Sequence, residues 1–313
     1  ELLWRGLSTD KIYRADFFGV LRNAIRLAIS LFSGGSSASK PVALLDNSPL
    51  REILEQHLSF ENIGRNILNG DLDALCLTAM NYTQGMSETF FQGGPQYAGW
   101  QRWRRQGLAT PIQLQHLMAS TAIPTIFPPA KLGRNYYGDG ALRQLTPISP
   151  VIHLGANRVL VIPANGHKRQ YPKLPQEIKS PGFGQIIGHL LNSAFIDSIE
   201  TDIERLERIN ELVRIIPDED RGMMGKELLP IDCLVISPSE DIDRIADEHV
   251  NELPRSLRMF LRRTGSTGNS GGGVSIASYL LFTPEYCGKL IDLGYRDGIA
   301  QRAELEAFLY RSK

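Results

Sequence analysis

The sequence is sparing with the residues that would commit it to a special environment. Three cysteines in 313 residues, Cys76, Cys233 and Cys287, stand far apart. No disulfide framework can be drawn from them, and none shares metal-ligand spacing with a histidine or a carboxylate. An odd, scattered set favours a reducing compartment. The apolar runs around Cys76 and Cys233 make them read as buried small hydrophobes. No run of about 18 apolar residues would cross a bilayer, and no signal-peptide pattern is visible. Charge of one sign is missing too: 34 Lys and Arg stand against 34 Asp and Glu. No net field gathers nucleic acid or repels anionic lipid. Trp103-Arg104-Arg105 is a small basic-aromatic cluster and reads as a solvated helix face. The glycine-rich runs lack the strand and lysine of a phosphate loop. The opening residues Glu1 to Leu7 read as the end of an amphipathic helix with no methionine start, as if the chain entered in the middle of a fold.

What is present is a chain able to bury a large core, with 42% hydrophobic and 22% charged residues. Asp10 to Phe32 carries Phe17, Phe18, Leu21, Ile25, Ala28, Leu31 and Phe32 at helical spacing, with Arg22 and Arg26 four apart on another face. Such a stripe suits a core helix or a lipid-facing cap. Ser48-Pro49 opens a helix to about Leu58, and Phe60 to Leu68 is a second. Ala74 to Met80 reads as a buried strand, and Glu88 to Gln92 as another after the Thr83-Gln84-Gly85 turn. Thr110 to Gln113 carries capping-box chemistry for a helix reaching Ser120. Further strands are expected at Arg158 to Pro163 and Ile231 to Ser237. Long helices are expected at about Gln185 to Val213 and Pro284 to Tyr310.

Continuous apolar strands separated by helices predict an α/β fold with a mostly parallel sheet flanked by helices, followed by a helix-rich C-terminal region. The polar, proline-bearing stretch 166–184 divides the chain into 1–165 and a helix-rich 185–313 with one further strand.

The remaining signal is concentrated in Asn135 to Pro150, NYYGDGALRQLTPISP. Tyr136 and Tyr137 read as a strand end, and Asp139 sits between Gly138 and Gly140. Glycine on both sides permits a sharp turn and the close approach of another segment. The carboxylate then either caps its own turn or points off the strand end into a cleft. Upstream lies Ala119-Ser120-Thr121-Ala122-Ile123-Pro124-Thr125-Ile126-Phe127-Pro128-Pro129, and downstream Leu145-Thr146-Pro147-Ile148-Ser149-Pro150.

These three segments, in this order and spacing, resemble the patatin-like phospholipases. That family combines an AS-x-A-x-P-x-x-FPP segment, a strand ending in DG-G/A and a short proline-containing return. The resemblance covers roughly residues 1 to 165, with DGA in place of DGG. It implies a three-layer fold and a serine acyl hydrolase working without histidine or cofactor: a phospholipase A or lipid esterase with a Ser-Asp dyad. Asp139 would be the proton acceptor, with Gly140 and Ala141 completing its motif. A lipid or acyl-ester substrate follows, in a cytoplasmic protein with peripheral membrane contact as an option.

The resemblance also implies a G-x-S-x-G elbow and a glycine-rich oxyanion loop before the aspartate, and neither precedes Asp139. Gly34-Gly35-Ser36-Ser37-Ala38 ends in alanine and follows no buried strand. Gly268-Asn269-Ser270-Gly271-Gly272 matches literally but follows Arg262-Arg263 instead of a strand and lies after Asp139, so Ser270 is set aside as nucleophile. His116, His153 and His189 have no serine elbow to serve. The expectation is an N-terminally truncated hydrolase carrying the aspartate half of its dyad and inactive alone. The alternative is a catalytically silent lipid-binding or regulatory module with the same fold.

Overall fold

A computed structural model describes residues 1–32, 43–144, 146–164, 186, 197–217, 229–264 and 276–310. The segment 166–184, His189 and Ser270 lie outside the described residues, as does the first half of the helix expected from Gln185.

Six strands form the main sheet: β1 (Ala74–Asn81), β2 (Met86–Gly93), β3 (Trp100–Arg102), β4 (Arg105–Ala109), β5 (Ala130–Leu132) and β6 (Asn135–Asp139). Their order is β3-β4-β2-β1-β6-β5. The α/β class stands, but the strand directions are more mixed than the mostly parallel expectation. In this sheet only β2 and β4 run parallel, while β1 pairs antiparallel with both β2 and β6. The reason is connection length. β1 and β2 are joined by Tyr82 to Gly85 alone, and so short a link closes a hairpin, whereas a parallel pair needs a crossover of a dozen residues or more. Gly85, at φ 66, occupies the left-handed region in that turn. The parallel arrangement appears in a second, two-stranded sheet of β7 (Arg158–Val161) and β8 (Asp232–Val235).

Alternation along β2 sends Phe90 and Phe91 to opposite faces. Phe90 joins Ala79, Ile112, Ala119 and Tyr137 in a core closed by Phe60 and Ile63. The covering helices are α5 (Glu61–Asn69) and α6 (Leu114–Ser120), while α4 (Ser48–His57) packs on α6 and sends Leu50 and Ile53 to the main core. Phe91 stacks on Trp100, which stacks in turn on His153 of α7 (Ser149–His153). Helices thus stand on both sides of the sheet, consistent with the three-layer arrangement.

Several local expectations are revised. Asp10 to Phe32 is not one helix. After the short helix α1 (Leu2–Arg5), a second, α2 (Thr9–Ile12), ends where Tyr13 turns extended, and the long helix α3 covers Phe17–Phe32. Tyr13 is fully buried and donates its hydroxyl to Leu280 O at 2.5 Å, which anchors the break. Trp103-Arg104-Arg105 forms the β3–β4 hairpin instead of a helix face, with Arg104 at φ 55 and its guanidinium 5.4 Å from the Trp103 ring. The Thr110 to Gln113 cap is formed by Gln113 with His116, the first residue to donate its N–H to His116 Nδ1 at 3.0 Å. Cys76 and Cys233 are half-buried, and only Cys287 is buried outright. Pro284 to Tyr310 is divided at Gln301 into two helices, Pro284–Ala300 and Arg302–Tyr310.

One hydrophobic core joins the two ends of the chain. Leu7, Tyr13, Val20, Leu45, Ile126 and Phe127 pack with Ile245, Leu257, Leu261, Leu280 and Leu293. A smaller core unites Ile148, Val159 and Val161 with Ile203 and Leu206 of the helix Asp197–Ile215.

Candidate functional site

Asp139 ends β6 at the point where three segments converge. Its strand neighbour is Ala79 of β1, and its N–H donates to Ala122 O at 2.9 Å. Ala122 belongs to the small-residue segment after α6, where Ala119 and Ala122 are both fully buried. Small side chains are required there, because the end of α6 lies directly on β1 and β6. Ser120 donates its hydroxyl to Thr78 O at 2.8 Å, tying the helix end to β1.

Gly140 is fixed by the same crowding. A Cβ at this position would overlap Thr78 O and lie 3.2 Å from Ala79 N. At Gly138 a Cβ would overlap the hydroxyl of Tyr82. The two glycines therefore serve close approach instead of positive φ. Thr125, at φ 65, carries the local strain, held by Leu44 N–H on its own carbonyl at 2.8 Å and Leu45 N–H on Ile126 O at 2.9 Å.

The Asp139 side chain accepts one hydrogen bond, from Ala141 N–H at 3.0 Å, which caps the one-turn helix Gly140–Leu142. The turn reading of the motif holds, since the carboxylate caps its own turn, and the residue is half-buried there. Burial pushes its carboxyl up to about 6, with the single N–H opposing. The phenols of Tyr82 and Tyr279 are also pushed up, chiefly by burial. The Asp139 carboxylate adds to both, and Asp243 adds at Tyr279. Asp139 is thus within electrostatic reach of a turn residue of β1–β2 and of a residue from the far end of the chain. Neither tyrosine stands out in the sequence, since each lies in a segment with no motif of its own.

The histidines lie elsewhere. His116 is buried in its helix cap against Phe90, and burial lowers its pKa, so the ring is neutral. His153 stacks on Trp100. Among the described residues no group of three or more His, Cys, Asp or Glu could hold a metal. No described helix is long and apolar enough to cross a membrane. Two surface depressions, at Glu55 to Glu61 and between Gly294 and Tyr310, lie away from Asp139.

A half-buried carboxyl with a raised pKa can exchange a proton near neutrality, the property a general base needs. No curated protein and no solved structure matches the chain. The family model of the patatin-like phospholipases matches residues 7–152, a span that contains α3, the whole main sheet, α6 and Asp139. Over those residues the chain is similar to the patatin-like phospholipases.

Proposed function

We propose that this chain supplies the base of a Ser-Asp acyl hydrolase that cleaves carboxylic esters of lipids. The observation supporting it is the setting of Asp139. Its backbone is bonded to Ala122, its motif glycine is locked against Thr78, and its carboxyl is drawn up to about 6. In that reading the ionised carboxylate takes the proton of a serine hydroxyl as the serine oxygen attacks the ester carbonyl. The protonated acid then returns the proton to the departing alcohol, leaving an acyl-enzyme for water to cleave. A carboxyl near 6 is mostly ionised at neutral pH, yet more basic than an exposed aspartate.

In this reading the serine comes from a G-x-S-x-G elbow that is not found before Asp139 in these 313 residues. Ser120 is spent on Thr78 O, and the Gly268 to Gly272 match around Ser270 comes after Asp139 in the sequence. The test compares two polypeptides on a short-chain nitrophenyl ester. The present chain should be inert, while one extended at its N-terminus through a G-x-S-x-G elbow should turn over and react with a fluorophosphonate probe. Asp139→Asn should abolish turnover with the fold intact. Turnover surviving in that variant would remove Asp139 from the mechanism. A second reading, a lipid-binding module without chemistry, is favoured by the same missing elbow. It would be supported by vesicle binding without ester turnover in the extended protein.

A further inference from the structure

The helix α3 turns its apolar side outward. Phe18 is 81% exposed, Ile29 57% and Ile25 52%, with Phe17 and Leu21 each at 47%. At about 100° per residue these five side chains fall within roughly a third of the helix circumference. The side flanking the Phe17 edge of this arc, with Val20 buried and Ala24 packed against the main core, holds the helix to the protein. Arg22 and Arg26, both exposed, follow along one border of the apolar arc. Among the described residues neither has a carboxylate partner. The acid at this end, Asp16, is occupied in accepting from Gly19 N–H at 2.7 Å.

We propose that α3 is a docking helix for an anionic lipid bilayer: the phenylalanine, leucine and isoleucine side chains enter the acyl boundary while Arg22 and Arg26 meet the lipid phosphates. An exposed apolar arc bordered by arginine is the pattern of a helix lying in the plane of a membrane interface. The arginines select among possible occupants. Headgroup phosphates pair with guanidinium groups, and a negative leaflet attracts basic residues held at its surface. A second copy of this chain suits the face less well. An antiparallel two-fold pairing of α3 would bring the arginine borders of both copies to the same edge, like charge against like charge. The proposal extends the lipid reading above in its target, but not in its chemistry, since Asp139 plays no part in it.

The experiment is co-sedimentation with vesicles of ether-linked phosphatidylcholine, with and without about a third of ether-linked phosphatidylserine. Such lipids contain no acyl ester, so binding is read whether or not the protein is a hydrolase. The chain should partition onto the anionic vesicles and release in about 0.5 M salt. Phe18→Asp with Ile25→Asp should weaken partitioning about tenfold or more. Arg22→Gln and Arg26→Gln should weaken it about fivefold each. All four side chains are exposed, so the variants should melt as the parent does, and circular dichroism checks this. Equal binding by parent and variants, or equal binding to neutral and anionic vesicles, would overturn the proposal. So would a soluble dimer that ignores vesicles and dissociates in Phe18→Asp. Vesicle binding with no ester turnover in the extended protein would fell the hydrolase reading alone, and turnover without binding would fell this one alone.

Discussion

At the scale of single residues, Asp139 and Gly140 carry constraints that can be separated by measurement. The folded state holds the Asp139 proton more tightly than an unfolded chain does, because burial raises the carboxyl to about 6. The stability this proton contributes is fully present below about pH 4 and is lost as pH rises through about 6. At pH near 8 the buried carboxylate therefore weighs against the fold, by about 1–3 kcal/mol. Asp139→Asn, which keeps an acceptor for Ala141 N–H, should accordingly be more stable than the parent in urea unfolding near pH 8 and nearly equal to it near pH 3. An equal midpoint at both pH values would mean the carboxylate is better hydrated than its setting indicates. In the extended hydrolase the same ionisation predicts a rate rising through about pH 6. Gly140→Ala acts by crowding instead. Its new methyl meets backbone on two sides and should cost about 2–4 kcal/mol. Gly138→Ala meets the end of the Tyr82 side chain, which can swing aside, and should cost less.

At the scale of elements, the register of β6 beside β1 is set by a buried polar knot. Glu88 on β2 is 1% exposed and accepts from Asn81 Nδ2 at 2.9 Å, Gln106 Nε2 at 2.9 Å and Tyr137 Oη at 2.7 Å. Four strands meet at one carboxylate, two residues along β6 from Asp139. Burial first, then the neighbouring Glu88, pushes the Tyr137 phenol up to about 12, so it stays a donor throughout the working range. Tyr137→Phe should lower stability by about 1–2 kcal/mol, since one acceptor of Glu88 is left short of a partner. Glu88→Ala removes the acceptor shared by three donors, leaving Asn81 Nδ2 only its longer bond to Tyr137 Oη at 3.3 Å, and should cost about 3–5 kcal/mol by thermal or urea unfolding. The strands of this knot were legible: the apolar run of β1, the tyrosines of β6 and the turn at Thr83 to Gly85 all occur where the sequence indicates. Their directions are not legible, because an apolar run looks the same in parallel and antiparallel sheets. The discriminating fact was the four-residue link from Asn81 to Met86. The β3–β4 hairpin was hidden because its tip, Trp103-Arg104, is charged and exposed like a helix face.

At the scale of the whole molecule, the electrostatic surroundings of Asp139 include a residue the motif could not announce. The family match ends at residue 152, yet Tyr279, which shares the surroundings of Asp139, sits in the turn Ile276–Tyr279. That turn is held from the other end of the chain. Tyr13 Oη reaches Leu280 O, Thr9 Oγ1 reaches Phe282 O at 3.4 Å, and Ser256 Oγ reaches Ala15 O at 2.6 Å. Contacts separated by most of the sequence leave no periodicity to read, which is why the aspartate was legible and its tyrosine neighbour was not. The same interlocking predicts how the protein comes apart. A chain ending at residue 164 would retain the main sheet and Asp139. It would also lay bare Leu7, Tyr13, Leu45, Ile126 and Phe127, whose packing partners Leu257, Leu261, Leu280 and Leu293 would be gone. Such a fragment should melt without a cooperative transition, bind a hydrophobic dye and be digested quickly at its α3 end. The full chain should unfold its sheet and its C-terminal helices in one step, with coincident transitions by far-UV circular dichroism and tryptophan fluorescence. A fragment that melts as sharply as the full chain would show that residues 1–164 form an independent unit, and that the C-terminal helices merely lean on the site.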